Sequence, residues 1–165
     1  MKTSGISCIV TGLTNGTAYS FSVTATNSLG TGPAATSGTV TPQTVPGVPL
    51  AVSALAGNAS VTVSWSAPDS NGGAAITSYT ATSTGGFCTI SGANSCTVTG
   101  LTNGTAYSFS VTATNAAGTG SASASASATP LAPTLTPATQ SVSATVGTAI
   151  SATAVLTPNT SFGAP

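Results

Sequence analysis

Few side chains here belong to types that do chemistry. The 165 residues include one Lys or Arg, one Asp or Glu and no His; the residues concerned are Lys2, Asp69 and the cysteines Cys8, Cys88 and Cys96. General acid and base catalysis needs a positioned titratable group and commonly a second one for the other proton. Asp69 has no such partner. The many Ser and Thr hydroxyls have no His or Glu to accept their proton, which removes the usual route to an activated nucleophile. Zinc is held by sets of three or four Cys, His or carboxylate ligands, and three cysteines, two of them better explained as a bridge, do not supply one. The expectation is a non-enzyme with no catalytic residue, no metal site and no cofactor. One Lys offers nothing to neutralise phosphates, so nucleic acid is excluded as a partner. A polybasic membrane patch fails for the same reason, and the apolar runs fall far short of the roughly 20 residues of a spanning helix, which excludes membrane insertion.

Asp69-Ser70-Asn71-Gly72 opens like a calcium loop, but calcium favours 6 to 8 oxygens with several carboxylates, and no second one exists. A plain turn explains it better. Trp65, Tyr79 and Tyr107 would suit a sugar-stacking platform, yet each lies where a sheet protein needs core mass. Asn15, Asn58, Asn103 and Asn159 begin Asn-x-Ser/Thr sequons, although Asn-Gly-Thr at 15 and 103 is equally turn chemistry. The dense Ser and Thr are either sites for O-linked sugars or simply a neutral polar face of high β-propensity.

The elements that carry these residues are strands. Val, Ile, Ala and aromatic residues alternate with Ser and Thr, the period-2 pattern of a sheet with one buried face. Residues 10–27 and 98–115 spell the same string, VTGLTNGTAYSFSVTATN, 88 positions apart. Matches continue at Ser7-Cys8 with Ser95-Cys96 and at Gly30-Thr31-Gly32 with Gly118-Thr119-Gly120. A period near 90 residues suits a compact all-β domain and not the short helical or propeller repeats. Pro-rich stretches around Pro42–Pro49 and Pro130–Pro133 interrupt the patterns, since Pro lacks the ladder donor. The expected domains are therefore 1–42, a linker at 43–49, 50–130, and 131–165. Within the second we expect seven strands: 50–55, 60–66, 76–83, 87–90, 95–99, 106–115 and 120–128. Val61, Val63 and Trp65 share a face, as do Tyr107, Phe109, Val111 and Ala113; the last strand's Ser-Ala alternation is expected to turn Ala inward. Gly57-Asn58, Pro68 to Gly73 and Gly85-Gly86 are the breaks.

Cys88 and Cys96 fall on consecutive expected strands joined by a turn at 91–94, so antiparallel pairing would bring them within bridging distance. We expect a disulfide, stabilising the fold by about 2–3 kcal/mol in the chain-entropy account; the alternative is two free, partly buried thiols. A bridge implies an oxidising compartment. Cys8 is the counterpart of Cys96, and its partner would fall at Met1 or just before it, so Cys8 is expected to be an unpaired thiol left by truncation. Met1 also precedes no signal-peptide pattern, and the chain reads as a fragment or as one with a mis-called start.

The Pro-rich approach, Trp65 in the second strand, the Pro68-Asp69-Ser70-Asn71-Gly72-Gly73 turn, Tyr79 in the third strand, and Leu101-Thr102-Asn103-Gly104-Thr105-Ala106-Tyr107 leading into Ser108-Phe109-Ser110-Val111 together resemble a bacterial extracellular fibronectin type III domain. The resemblance covers residues 46–130 fully and 4–42 in part. It implies an immunoglobulin-like β-sandwich with sheets ABE and CC′FG, a structural core of Trp65, Tyr79, Leu101, Tyr107 and Phe109, and a tyrosine corner in which the Tyr107 hydroxyl bonds upstream backbone. The family's integrin-binding tripeptide is absent from Asn115-Ala116-Ala117-Gly118. By resemblance, residues 1–42 retain only strands E, F and G, an open half-sandwich expected to be unstable alone and to self-associate. The tail, with strands expected at 140–144 and 149–156, is similar to the opening of another bacterial immunoglobulin-like domain. The implied function is a non-catalytic spacer or interaction module of a large secreted or cell-surface protein, adhesin-like, with a protein or carbohydrate surface ligand left unidentified. The alternatives are an accessory linker module of a polysaccharide-degrading enzyme and, more weakly, a phage virion surface domain. Edge strands carry no Lys or Glu against edge-to-edge pairing, so solubility must come from hydroxyls.

Overall fold

The computed structural model describes residues 6–134; the strands expected at 140–144 and 149–156, the sequon at Asn159 and the Cys8 partner position at Met1 lie outside the described residues. In the first unit four two-residue strands form, β1 (Ser22–Val23), β2 (Thr26–Asn27), β3 (Gly30–Thr31) and β4 (Ala35–Thr36). β1 pairs with β4, and β2 with β3. The second unit contains β5 (Leu50–Gly57), β6 (Ser60–Ser66), β7 (Ser78–Ser83), β8 (Gly86–Ile90), β9 (Ser95–Thr99), β10 (Tyr107–Asn115), β11 (Gly118–Thr119) and β12 (Ala126–Ala128).

The second unit is a two-sheet sandwich in which every pairing is antiparallel. One sheet has the order β5-β6-β9, and the other runs β11-β10-β7-β8 with β12 also on β10. The period-2 sequence explains the packing: Val61, Val63 and Trp65 of β6 face Phe109, Val111 and Ala113 of β10 and Tyr79 and Ala81 of β7, and all are buried. Leu101 and Val98 close one end. The Trp65 and Tyr79 rings meet at 5.4 Å in a tilted arrangement of 51°, within the centroid range of favourable aromatic pairs. Trp65 Nε1 is buried without a hydrogen-bond partner among the described residues. Outward faces carry cross-strand threonine pairs, Thr62 with Thr97 at 3.0 Å, Thr80 with Thr89 at 2.9 Å and Thr114 with Thr119 at 2.8 Å, each joined hydroxyl to hydroxyl.

Two expectations need correction. Cys88 and Cys96 are bridged, with Cα atoms 6.1 Å apart, but their strands are not ladder partners: β8 pairs with β7 and β9 with β6. The disulfide therefore joins the two sheets. A short turn between two strands looks like a hairpin in sequence whether or not the chain crosses to the other sheet. Of the expected last strand at 120–128 only β12 forms, β11 lying just before it at Gly118–Thr119, and the Ala-in alternation holds only at Ala126 and Ala128. Ala122 and Ala124 are exposed. At Ser123 the hydroxyl accepts the Val111 N–H at 2.9 Å while the Ser123 N–H donates to the Val111 carbonyl at 2.9 Å, so a side chain replaces a ladder contact.

The duplicated string is a comparison internal to the chain. In the second copy residues 107–115 form one nine-residue strand with Phe109 and Val111 fully buried. In the first, the same residues give only β1 and β2, Val23 is 65% exposed, and no residue from 6 to 41 is buried. Local features survive nonetheless. The Thr14 N–H donates to the Tyr19 hydroxyl at 3.0 Å, and the Thr102 N–H to the Tyr107 hydroxyl at 3.1 Å. Sequence-local bonds form in both settings, whereas long strands form only against β6 and β7. Val111→Ala should lower unfolding stability by about 2 kcal/mol, as cavity-forming truncations do, and Val23→Ala should leave the urea midpoint unmoved. Equal shifts for the two would show that the copies share one packing environment.

Candidate functional site

Among the described residues, those of chemically active types do not converge. Asp69 is exposed on the turn before β7, where the neighbouring side-chain oxygens are already used, Ser70 Oγ by the Gly72 N–H at 3.1 Å and Asn71 Oδ1 by the Gly73 N–H at 2.9 Å. Among the described residues no three His, Cys, Asp or Glu gather as metal ligands, and no helix is long and apolar enough to cross a membrane. Cys8 is exposed and free. Trp65, Tyr79, Leu101 and Phe109 are buried, and Tyr107 lies half-buried at the core's margin, 6.5 Å from the Phe109 ring. Asn103 uses both amide atoms: Oδ1 accepts the Ala59 N–H at 2.8 Å and Nδ2 donates to Asn58 Oδ1 at 2.9 Å. That clasp holds Ala59 at a φ of 48° in the left-handed region, where alanine is rarely found.

The polar construction of the molecule is concentrated where the first unit meets the second. The chain leaving the first unit is held by the Gly16 N–H on the Pro42 carbonyl at 2.9 Å. Two residues later the Thr44 N–H donates to the Gly72 carbonyl, and the Gly47 N–H to the Ser70 carbonyl, both at 2.9 Å. Asn115, at the end of β10, is the buried polar residue that completes this joint, being only 4% exposed. Its Nδ2 donates to the carbonyls of Thr44 and Asn71, each at 2.8 Å, and its Oδ1 accepts the Ala117 N–H at 2.9 Å. One amide thus ties together the incoming chain, the turn before β7 and the turn after β10. Residues 43–49, expected as a linker, are laid down on the sandwich, with Pro46 and Pro49 buried.

The glycines of Pro68–Gly73 make the close approach possible. Gly72 and Gly73 have φ of 73° and 85°, a region that favours residues without a Cβ. A Cβ on Gly72 would meet the Val45 carbonyl oxygen at 2.7 Å, and one on Gly73 would meet the Asn15 carbonyl carbon at 2.7 Å. The turn is therefore the seat on which the Asn15-Gly16 loop of the preceding unit rests. The expected strand 106–115 ends on Asn115, but the sequence reading missed its role in this joint. The available signal was its position closing the alternation Phe109, Val111, Ala113, which predicts an inward side chain and therefore a polar group that needs partners. Asn27, its counterpart, is exposed and keeps only the local bond, accepting the Leu29 N–H at 2.9 Å.

This architecture, with β5-β6-β9 as sheet ABE and β8-β7-β10 with β11 and β12 as CC′FG, is that of an immunoglobulin-like sandwich closed by a tyrosine corner. The chain belongs to the fibronectin type III domain family, whose model matches residues 46–129. Domains A168-A170 of titin are similar at 25% identity and a TM-score of 0.52, covering 60% of this chain and 37% of theirs. The FN1-FN3 domains of chicken CNTN1 are similar at 25% identity and a TM-score of 0.50, covering 73% of this chain and 44% of theirs. The chain thus spans less than half the length of these structures. No curated protein matches it.

Two outcomes follow. Asn115→Ala strands the Thr44 and Asn71 carbonyls and should lower stability by about 2–3 kcal/mol, with proteolysis opening first at residues 43–49; Asn27→Ala should be neutral, and equal effects in denaturant melts would contradict the joint. The tyrosines should titrate in two groups. N–H donation from Thr14 and Thr102 favours the phenolates of Tyr19 and Tyr107 and lowers both below the ordinary value of 10.0, while burial raises Tyr79 above it. The Tyr79 contribution to stability is full below pH 10.0 and is lost as pH rises through its raised folded value. Near-ultraviolet phenolate absorbance should show two ionisations before the third, and one shared midpoint would contradict these environments.

Proposed function

We propose that this chain is a non-catalytic spacer from a large secreted or cell-surface protein, adhesin-like in organisation, in which the joint at Asn115 holds successive sandwiches in a set relation. The clamp of Asn115 on Thr44 and Asn71 carries this reading. A freely hinged linker would present solvated backbone, whereas here the incoming chain is bonded at Pro42, Thr44 and Gly47, and Pro46 and Pro49 are buried. The chain enters the sandwich at Leu50 and leaves beside Gly57, whose carbonyl accepts the Leu131 N–H at 3.1 Å. Those points stand at opposite ends of the eight-residue β5. Successive modules therefore extend end to end, advancing roughly 23 Å along that strand alone. Family membership and an intersheet disulfide support an extracellular location, since disulfides persist in oxidising compartments.

The test is a solution measurement of shape. Small-angle scattering of the whole chain should give a narrow, elongated distance distribution that broadens with Asn115→Ala and changes its maximum with Gly73→Val, which pushes Asn15 away. Profiles identical to wild type for both variants would mean that the joint does not set the module arrangement.

A further inference from the structure

The second copy of the duplicated string shows what its apolar side is made to meet. Val98, Leu101, Phe109, Val111 and Ala113 are buried in one core with the inward residues of β6 and β7. In the first copy Val10 and Val23 are exposed, Phe21 is only half-buried, and no described strand takes the place of β6 and β7. An identical sequence in the same molecule thus identifies the cover this face fits. The cysteines repeat the relation independently: Ser7-Cys8 matches Ser95-Cys96, Cys96 is bridged to Cys88, and Cys8 is exposed and free.

We propose that residues 6–42 dock on the 50–90 half of a second copy of this chain, replacing that copy's own 95–130, and that a Cys8–Cys88 bond locks the exchange. A second chain is favoured by reach. On its own 50–90 half, Pro42 would stand where Pro130 does, beside Gly57, because the Gly16–Pro42 bond is the counterpart of Gly104–Pro130. The chain would then have to return the length of β5, roughly 23 Å, through residues that span at most about 26–29 Å fully stretched. It would also give up the Thr44–Gly72 and Gly47–Ser70 bonds. Between chains no such tether applies. Contacts over the string are equal residue for residue, so the balance is set by the millimolar-scale effective concentration of the chain's own half. Exchange therefore grows with protein concentration. The covalent step is redox-neutral: the Cys8 thiolate attacks Cys88 Sγ, the Cys8–Cys88 bond forms as Cys88–Cys96 breaks, and Cys96 leaves as a thiolate that takes up the proton Cys8 released.

The experiment mixes normal and heavy-isotope whole chains, equilibrates them at low and high concentration, traps thiols by alkylation and maps the linked peptides by mass spectrometry. The expected result is a Cys8–Cys88 peptide joining light to heavy chains, rising with concentration. Val23→Asp, harmless where Val23 is exposed, should lower it at least about tenfold, because docking would bury an unpaired carboxylate. Val111→Asp, which disables the chain's own half, should make it the main linkage. Absence of that peptide at every concentration, indifference to Val23→Asp, or no enrichment in Val111→Asp would each overturn the proposal.

Discussion

The burial of one face of β10 against the sheet of β6, with β7 as its ladder neighbour, is the constraint on which the rest of the molecule depends. The eighteen duplicated residues demonstrate it without any substitution. Against β6 and β7 they supply a nine-residue strand and the fully buried Phe109 and Val111; without that cover they yield two short strand pieces and exposed valine. Strand propensity is high in both places, so propensity is not what decides the outcome. Intersheet contact decides it, and the disulfide reinforces that contact by crossing between the same two sheets.

From that burial the joint follows. An alternation that turns Phe109, Val111 and Ala113 inward must also turn Asn115 inward, and a buried amide requires partners. The partners available at that end are the carbonyls of the incoming chain and of the turn before β7. Core formation and module spacing are therefore coupled through one strand: where it is complete, the preceding unit is anchored. In the first unit, where the strand is fragmented, Asn27 has only its local partner.

Much of this was legible in the residues. The strands 60–66 and 95–99 fall where the alternation places them, and the tyrosine corner is encoded within Leu-x-x-x-Thr-x-Tyr closely enough to form twice, once without a sandwich around it. What was not legible concerns relations between segments. Period 2 says which side chains share a face but not which sheet receives a strand, so the Cys88 and Cys96 strands read as a hairpin although they belong to opposite sheets. Ser123 reads as an outward hydroxyl because nothing local announces that it will replace a ladder contact. Asn115 reads only as the end of a strand because its partners, Thr44 and Asn71, are distant in sequence.

The threonine pairs on the outer faces carry a consequence of a different kind. Where many proteins cover a sheet with ion pairs, this one ties neighbouring strands through Thr62 and Thr97, Thr80 and Thr89, and Thr114 and Thr119. Hydroxyls neither titrate in the ordinary range nor attract a counterion cloud, so dissolved salt has almost nothing on these faces to screen. Those faces are in effect electrically silent, and charge screening by the surrounding fluid leaves the pairing of their strands unmoved.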